Sequence, residues 1–335
     1  MNKPHIQNLS YKIYNKTLSF ISNNDFIIRS INSYFSVYNN LHKFRCVENI
    51  NIELYDVNFH SAKLNKISKF ETASNSFLAE HKNRFKIYRV NRNIYCINFY
   101  NGLSKIFIDI KNCKAEGYIV NPERFGLDFI PNFIIIALIE ILFKFKNIFF
   151  IHSSAVVKNG TAILFPGSSG SGKSTLAFYM MSKKFNLISD DKCFIYNKNE
   201  ETIEISGLLQ PVDIIKRKDD FLINSGLIKK VFNKYSEDEK RFIITEFKKN
   251  SVDFTGKIKF IIFPKIGEKF NVKKISKNNA LTSLFKNSIT PRLNINLKQH
   301  FEILYKTIEN SECYSIIVSS DLTEFYKFIK KALHY

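Results

Sequence analysis

Hydrophobic and polar positions alternate in short runs from residue 85 onward. Four runs are alternating or rich in β-branched and aromatic residues, and they read FKIYRV, IYCINF, SKIFIDI and CKAEGYIV. The dipeptide Asn101-Gly102 separates two of them, and Asn-Gly between alternating runs is a strong hairpin signal. The pattern therefore predicts an antiparallel meander over residues 85–120, whereas the first 80 residues show no strong period.

The most apolar segment of the chain runs from Phe129 to Phe143. A break at Asn121-Pro122 separates it from the meander, and we expect a buried helix over residues 131–145. The segment contains Glu140 and falls short of the roughly 18–20 apolar residues that a membrane span requires. It therefore predicts no membrane-spanning helix.

The carboxyl two-thirds of the chain alternates strand and helix patterns. Strands are predicted for NIFFIHSSAVV, TAILF, NLIS, CFIYN, TIEI, KFIIFP and YSIIVS, and helices for residues 174–184, 278–286, 297–310 and the segment after Ser320-Asp321. This rhythm predicts an α/β fold for residues 123–335. A smaller α+β domain that contains the meander is expected for residues 1–122, with the boundary at Asn121-Pro122.

Cysteine usage and charge narrow the class of protein. The five cysteines are scattered among 335 residues without a CxxC spacing, and the amino end lacks the apolar stretch of a signal peptide. We therefore expect a cytoplasmic protein without structural disulfides. Lys and Arg exceed Asp and Glu by 50 to 30, a formal charge of +20, but the lysines occur in scattered pairs. Residue composition, a bound triphosphate or an acidic acceptor explains this charge better than nucleic acid does.

One motif carries chemistry. Residues 167–174 fit GxxxxGK[ST] at every fixed position, and they read Gly167, Ser168, Ser169, Gly170, Ser171, Gly172, Lys173 and Ser174, followed by Thr175. Small residues let successive backbone N–H groups converge on phosphate oxygens, and the following helix adds its positive end. In such loops the lysine reaches the β- and γ-phosphates and the Ser hydroxyl ligates Mg²⁺. The position between the predicted strand TAILF and the predicted helix indicates nucleotide binding, with ATP and Mg²⁺ as ligands.

Carboxylates and a histidine flank this loop in the sequence. Asp190 and Asp191 close the short strand NLIS, where one can ligate Mg²⁺ and the other can act as a general base. A solvated turn residue is the alternative for either aspartate, because strand ends favour Asp in turns. His152 ends the strand IFFI, and a histidine in that position is also compatible with a purely structural role.

The order of these elements resembles the HPr kinase/phosphorylase catalytic domain, and in particular the HPr kinase-related kinases. His-Ser-Ser-Ala at 152–155, the loop at 167–175 and Leu-Ile-Ser-Asp-Asp at 187–191 carry the resemblance, supported by the segments 210–216, 259–264 and 313–318. It covers about residues 148–333. The resemblance implies a P-loop, carboxykinase-like mixed sheet with flanking helices, and a homo-oligomer.

The resemblance also implies roles for single residues. Of Asp190 and Asp191, one binds the metal and the other is the general base, and which does which is left open. His152 lies near the γ-phosphate or the metal. Lys216, or Arg217 as the second candidate, neutralises transition-state charge, unless the basic run at 216–218 is an exposed turn. The chain departs from the protein-phosphorylating family, because Glu204-Ile-Ser-Gly207 stands where that family has a glutamate–arginine–glycine signature. An HPr substrate and a phosphorylase back-reaction are therefore not implied.

Three functions compete on the sequence. The first is a kinase that transfers the γ-phosphoryl group of ATP to a hydroxyl, typically Ser, of a peptide, protein or small molecule. The second is a nucleotide-gated binding or scaffold module, or an ATPase without an acceptor. The third, a nucleic-acid-dependent ATPase, rests on the charge alone.

Overall fold

The structure is a computed structural model, and it divides the chain into two compact units. It describes residues 6–13, 16–40, 48–56, 76–81, 85–99, 104–210, 212–215, 228–234, 241–247, 255–288 and 296–333. The first unit comprises Met1–Lys146 and Thr290–Leu297, and the second comprises Asn147–Ile289 and Lys298–Tyr335. The predicted boundary at residue 122 differs from this division, because the apolar helix packs within the first unit. Its Phe145 ring lies 4.9 Å from the ring of Tyr95, which belongs to the meander.

The first unit is built on a mixed sheet of eight strands. Its strands are β1 (Gln7–Ile13), β2 (Lys16–Ser22), β3 (Glu48–Asp56), β4 (Ser76–His81), β5 (Phe85–Arg89), β6 (Ile94–Phe99), β7 (Ser104–Asp109) and β8 (Lys114–Ile119). They lie in the order β1-β2-β3-β8-β7-β6-β5-β4, with parallel pairing only at β2–β3 and β3–β8. The predicted meander is confirmed, since β5 to β8 pair antiparallel with their neighbours in sequence.

Two longer helices accompany this sheet, together with short 3-10 helices at Ser36–Asn40 and Pro122–Arg124. Helix α1 (Asp25–Phe35) begins behind Asn24, whose side chain accepts hydrogen bonds from the backbone N–H groups of Phe26 and Ile27. The predicted apolar helix is confirmed as a π-helical segment, Ile130–Ile135, that continues into α2 (Ile136–Phe145). Among the described residues, no helix is long and apolar enough to cross a membrane.

The second unit has a mixed sheet of eight strands, a separate antiparallel sheet of three strands, and flanking helices. Its strands are β9 (Phe149–Lys158), β10 (Thr161–Pro166), β11 (Asn186–Ser189), β12 (Lys192–Asn197), β13 (Ile203–Leu208), β14 (Val212–Ile215), β15 (Ile228–Lys234), β16 (Arg241–Phe247), β17 (Thr255–Ile266), β18 (Asn271–Lys274) and β19 (Glu312–Val318). Its helices are α3 (Lys173–Ser182), α4 (Lys277–Lys286), α5 (Leu297–Glu309) and α6 (Thr323–Ala332). The separate sheet is formed by β14, β16 and β15. The strands and helices predicted for this region are confirmed. Strands β15, β16 and β18 were not predicted, and β14 lies in the segment 210–216, which only the resemblance singled out.

The strand order of the second unit places β10 between β9 and β17. The main sheet runs β10-β9-β12-β13-β17-β19-β18, β11 pairs with β9, and β10 also pairs with β17. A tight turn at Asn159-Gly160, where both residues have positive φ, joins β9 to β10. Because β10, β17 and β19 are parallel, their carboxyl ends lie at one edge of the sheet. Ligands of open α/β sheets bind at such an edge.

Apolar side chains from both sheet and helices fill the core of this unit. Strands β9, β10, β12 and β17 contribute Ile, Val and Phe, and helices α4 and α5 cover them with Leu284 and Leu304. His300 of α5 stacks on Phe149 at 4.6 Å between ring centroids. The core holds β10 rigidly, and β10 leads directly into the glycine-rich loop.

Candidate functional site

The glycine-rich loop joins the carboxyl end of β10 to the start of α3. Gly170 and Gly172 have φ values of 79° and 95°, a left-handed conformation that only glycine adopts without strain. The first turn of α3 closes at once, since the N–H of Leu176 donates to the carbonyl of Gly172 at 3.0 Å. Residues 168–170 are exposed. The predicted strand–loop–helix arrangement is therefore present, with its loop open to solvent.

The Lys173 side chain turns back over this loop. Its Nζ donates to the carbonyl oxygen of Ser168 at 2.9 Å and lies 3.3 Å from Nε2 of His152. Burial lowers the pKa of Lys173, and the charges of Asp191 and Asp190 oppose that shift. The ammonium group is thus held between the loop and the two aspartates.

His152 links Lys173 to Asp191. Its Nδ1 lies 2.9 Å from Oδ1 of Asp191, on the opposite side of the ring from Lys173. When Nδ1–H donates to the carboxylate, Nε2 carries a lone pair and can accept a hydrogen bond from the ammonium group. The three side chains therefore form a line in which Asp191 sets the tautomer of His152.

The second carboxylate oxygen of Asp191 binds Lys192. Its Oδ2 accepts from Nζ of Lys192 at 3.1 Å, and the same Nζ donates to Oε1 of Gln210 at 3.2 Å. Burial raises the pKa of Asp191, but the hydrogen bond from His152 and the charges of Lys192 and His152 outweigh it. The pKa of Asp191 is therefore held well below its usual range.

Asp190 points to the helix side of the loop. Its carboxylate is hydrogen-bonded to the hydroxyl of Ser174, and the Ser154 hydroxyl donates to its backbone carbonyl. Burial raises the pKa of Asp190 to about 6, and the bond from Ser174 opposes that shift. A carboxylate and a hydroxyl side by side are oxygen donors of the kind that Mg²⁺ takes in nucleotide sites.

The strand register brings these groups together. Lys192 of β12 pairs with His152 of β9, and the N–H of Ser153 donates to the carbonyl of Asp191 at 3.0 Å. Glycine at 207 allows the turn to pack closely, since a Cβ there would lie 2.2 Å from the carbonyl oxygen of Ile188. The Asp190-Asp191 turn is therefore fixed by β9 on one side and β13 on the other.

The structure gathers most of the residues that the sequence singles out. His152, Lys173, Ser174, Asp190 and Asp191 lie in one connected cluster, with the loop residues beside it. Lys216 and Arg217 lie outside the described residues. Lys192, Gln210 and Ser154 were not singled out, although Lys192 directly follows the aspartate pair and Gln210 opens a segment that carries the resemblance.

The departure from the protein-phosphorylating signature lies in β13. The Glu204 carboxylate binds Tyr196 at 2.9 Å and Lys198 at 2.6 Å, so it holds the hairpin to β12 together. Ser206 is fully buried. This stretch supports the strand beneath the aspartate turn.

Within the ranges that the structure describes, no group of three or more His, Cys, Asp or Glu side chains is arranged to hold a metal ion. Mg²⁺ commonly takes one or two protein ligands and completes its shell with phosphate oxygens and water. The pair of Ser174 and Asp190 fits that requirement.

Comparison of the chain with models of known protein families finds no match, and comparison with curated proteins finds none either.

Proposed function

We propose that this protein is an ATP-dependent kinase that transfers the γ-phosphoryl group to a hydroxyl of a peptide, protein or small molecule. One observation carries the proposal: Lys173 of a glycine-rich loop lies 3.3 Å from His152, which in turn lies 2.9 Å from Asp191. A phosphate-binding cation thus stands beside a base that is already oriented. Phosphoryl transfer depends mainly on such positioning and on charge neutralisation.

The loop supplies the phosphate site of the proposed enzyme. Its backbone N–H groups and the first turn of α3 provide a positive, closely fitting cradle. Lys173 exchanges the carbonyl of Ser168 for phosphate oxygens, which are the stronger acceptors. That exchange draws its Nζ away from His152.

Ser174 and Asp190 are the residues that hold Mg²⁺ in this proposal. Bound Mg²⁺ neutralises charge on the phosphate oxygens. The hydrogen bond between the two side chains keeps both oxygens on the loop side of the aspartate turn. Asp190 therefore takes the metal-binding role of the pair.

His152 accepts the proton of the acceptor hydroxyl, and Asp191 orients His152. A bond forms between the acceptor oxygen and the γ-phosphorus, the bond from that phosphorus to the bridging oxygen breaks, and ADP leaves. The hydroxyl proton passes to Nε2 of His152, while the Nδ1–H group of His152 remains hydrogen-bonded to Asp191. Lys192 keeps Asp191 ionised and in place.

The acceptor and context follow from the resemblance to HPr kinase-related kinases. That group implies a hydroxyl acceptor in a biosynthetic pathway and a homo-oligomer, and the scattered cysteines favour a cytoplasmic location. The net charge of +20 favours an acidic acceptor. A carboxykinase-like arrangement of the second unit is part of the same proposal.

The test is transfer of labelled γ-phosphate from ATP in the presence of Mg²⁺. Peptides and proteins encoded beside the gene are incubated with the full chain, and their intact masses are measured for one added phosphate. Asp191→Asn is expected to stop transfer while leaving ATP binding within about threefold, because the loop amides and Lys173 are unchanged. Normal transfer by this variant would refute the mechanism.

Two results would favour the alternative functions. ATP that binds without loss of its γ-phosphate indicates a nucleotide-gated binding module. Loss of the γ-phosphate to water, independent of any acceptor, indicates an ATPase. Acceptor-dependent transfer distinguishes the kinase from both.

A further inference from the structure

An exposed aliphatic side chain lies beside the glycine-rich loop. Ile266 is the last residue of β17 and is 66% exposed, the largest exposure among the big apolar residues that the structure describes. Its Cγ1 lies 3.5 Å from the position that a Cβ on Gly172 would occupy. A ligand on the loop that covers this aliphatic group removes apolar surface from water, which makes the binding free energy more favourable.

The backbone holds Ile266 firmly. It pairs with Val318 in the parallel β17–β19 ladder, and the N–H of Gly267 donates to the Val318 carbonyl at 3.0 Å. The side chain therefore projects from a fixed strand end rather than from a loose loop. A contact surface that is rigid before binding loses little entropy when a ligand covers it.

The strand order decides which end of a nucleotide reaches this residue. Strand β10 leads into the loop and lies between β9 and β17. His152 belongs to β9, and the Asp190-Asp191 turn joins β11 and β12, both of which pair with β9. The groups that act on the γ-phosphate thus lie on the β9 side, and Ile266 lies on the opposite side.

We propose that Ile266 contacts the nucleoside part of a nucleoside triphosphate whose phosphates the loop binds. The inference rests on the proposed nucleotide-binding function. A triphosphate that extends along the loop with its γ end at His152 directs its α-phosphate, and the sugar and base attached to it, toward β17. Because an isoleucine side chain has no polar atom, the contact distinguishes a nucleotide from a bare phosphate chain but not adenine from guanine.

The test compares ligands with and without a nucleoside. Affinities of the full-length protein for ATP, GTP and inorganic tripolyphosphate are measured with Mg²⁺ for the wild type and Ile266→Ser. We expect about tenfold weaker binding of both nucleotides and no comparable loss for tripolyphosphate, since half-covering an Ile side chain accounts for about one decade. Ile317→Ser is the matched control, because Ile317 is also exposed but pairs with Lys265, on the other face of the sheet. This control is expected to bind all three ligands like the wild type.

Each outcome bears on one of the two proposals. Unchanged nucleotide binding by Ile266→Ser, or an equal loss of nucleotide and tripolyphosphate, overturns the nucleoside contact and leaves the kinase proposal standing. A wild-type protein that binds neither ATP nor tripolyphosphate overturns the phosphate site itself. Thermal unfolding verifies that the variants fold, and Ile266→Thr, which keeps a β-branched residue in the strand, replaces Ile266→Ser if that variant does not.

Discussion

Nε2 of His152 lies 3.3 Å from Nζ of Lys173, so a strand residue and the loop lysine share a contact in the second unit. The two residues are far apart in the sequence, and only the pairing of β9 with β10 brings their side chains together. In the proposed reaction this contact breaks when Lys173 turns to the phosphates. Breaking it leaves the imidazole free to accept a proton.

The first prediction concerns His152. His152→Ala removes the proposed proton acceptor but none of the loop, so we expect ATP affinity within about threefold of the wild type and a turnover lower by about 10²–10⁴. Lys173→Met is expected to weaken ATP binding itself, because it removes the phosphate-binding cation. Titration calorimetry and a labelled-phosphate assay give the two values. Turnover by His152→Ala at the wild-type rate would exclude His152 as the proton acceptor.

The second prediction concerns Lys192, which holds the carboxylate that orients His152. Its charge and hydrogen bond help to keep the pKa of Asp191 low, so Lys192→Met raises that pKa. Protonation of Asp191 then occurs at higher pH, and we expect the ¹³C NMR titration of the Asp191 carboxylate to move to higher pH. A Lys192 that serves only as packing would leave this titration where it is in the wild type.

Lys198→Met is the matched control for this shift. Lys198 also binds a carboxylate, that of Glu204, but on the hairpin away from the aspartate turn. Its removal is expected to leave the Asp191 titration where it is in the wild type. A shift of equal size in both variants would mean that net charge, rather than the Asp191 contact, is responsible.

The third prediction is that Asp190 reduces stability above pH 6. Burial raises its pKa from 3.8 in the unfolded chain to about 6, so the folded state binds this proton more tightly. Its contribution to stability is complete below pH 3.8 and is lost as the pH rises through 6. Without Mg²⁺, Asp190→Asn is therefore expected to stabilise the protein at pH 8 by up to about 3 kcal/mol.

Denaturant unfolding at two pH values checks this prediction. At pH 4 the Asp190 carboxyl is protonated in the folded state, so the variant and the wild type are expected to differ little. The quantity to measure is the difference in free energy of unfolding between Asp190→Asn and the wild type. With a chelator present, this difference is expected to be larger at pH 8 than at pH 4. An equal effect at both pH values would argue against a titration of Asp190.

The fourth prediction concerns Gly207, which allows β13 to approach the aspartate turn. A Cβ on residue 207 would lie 2.2 Å from the carbonyl oxygen of Ile188 and 2.5 Å from Cβ of Ser189. Gly207→Ala is expected to destabilise the protein by about 1–3 kcal/mol and to lower transfer by displacing Asp190. Gly126→Ala, where an added Cβ meets nothing within 4 Å, serves as the neutral control in denaturant unfolding. Equal stability of the two variants would contradict the close packing at Gly207.

Periodicity predicted most elements of the second unit and the meander of the first. Alternating runs fold as strands because their apolar positions face one side of a sheet, and these runs became β5 to β8. The pattern did not predict β1 to β4. Strand β3 does alternate, but it has Asn49 and Asn51 at its polar positions, and asparagine is depleted in strands. Strand β18 was also missed, since its sequence Asn-Val-Lys-Lys lies at the sheet edge and buries little.

The candidate site likewise contains residues that the sequence predicts and residues that only the structure reveals. The loop at 167–174 is readable from the sequence because its chemistry needs small residues, a lysine and a hydroxyl at fixed spacing within a few turns of chain. Lys192 and Gln210 are not readable in this way, because a lysine beside an aspartate is common on any surface. Their role emerges from the distances of 3.1 Å and 3.2 Å that join them to one carboxylate network.

By itself the sequence determined the α/β alternation of the carboxyl part, the phosphate-binding loop and the residues that flank it, because each depends on neighbours in the chain. Only the tertiary structure decided that the apolar helix packs with the first unit, that Asp190 contacts Ser174 while Asp191 contacts His152, and that Ile266 lies beside Gly172 of the loop. The physical reason is strand pairing. Hydrogen bonds between strands distant in sequence set the register, and the register sets which side chains meet.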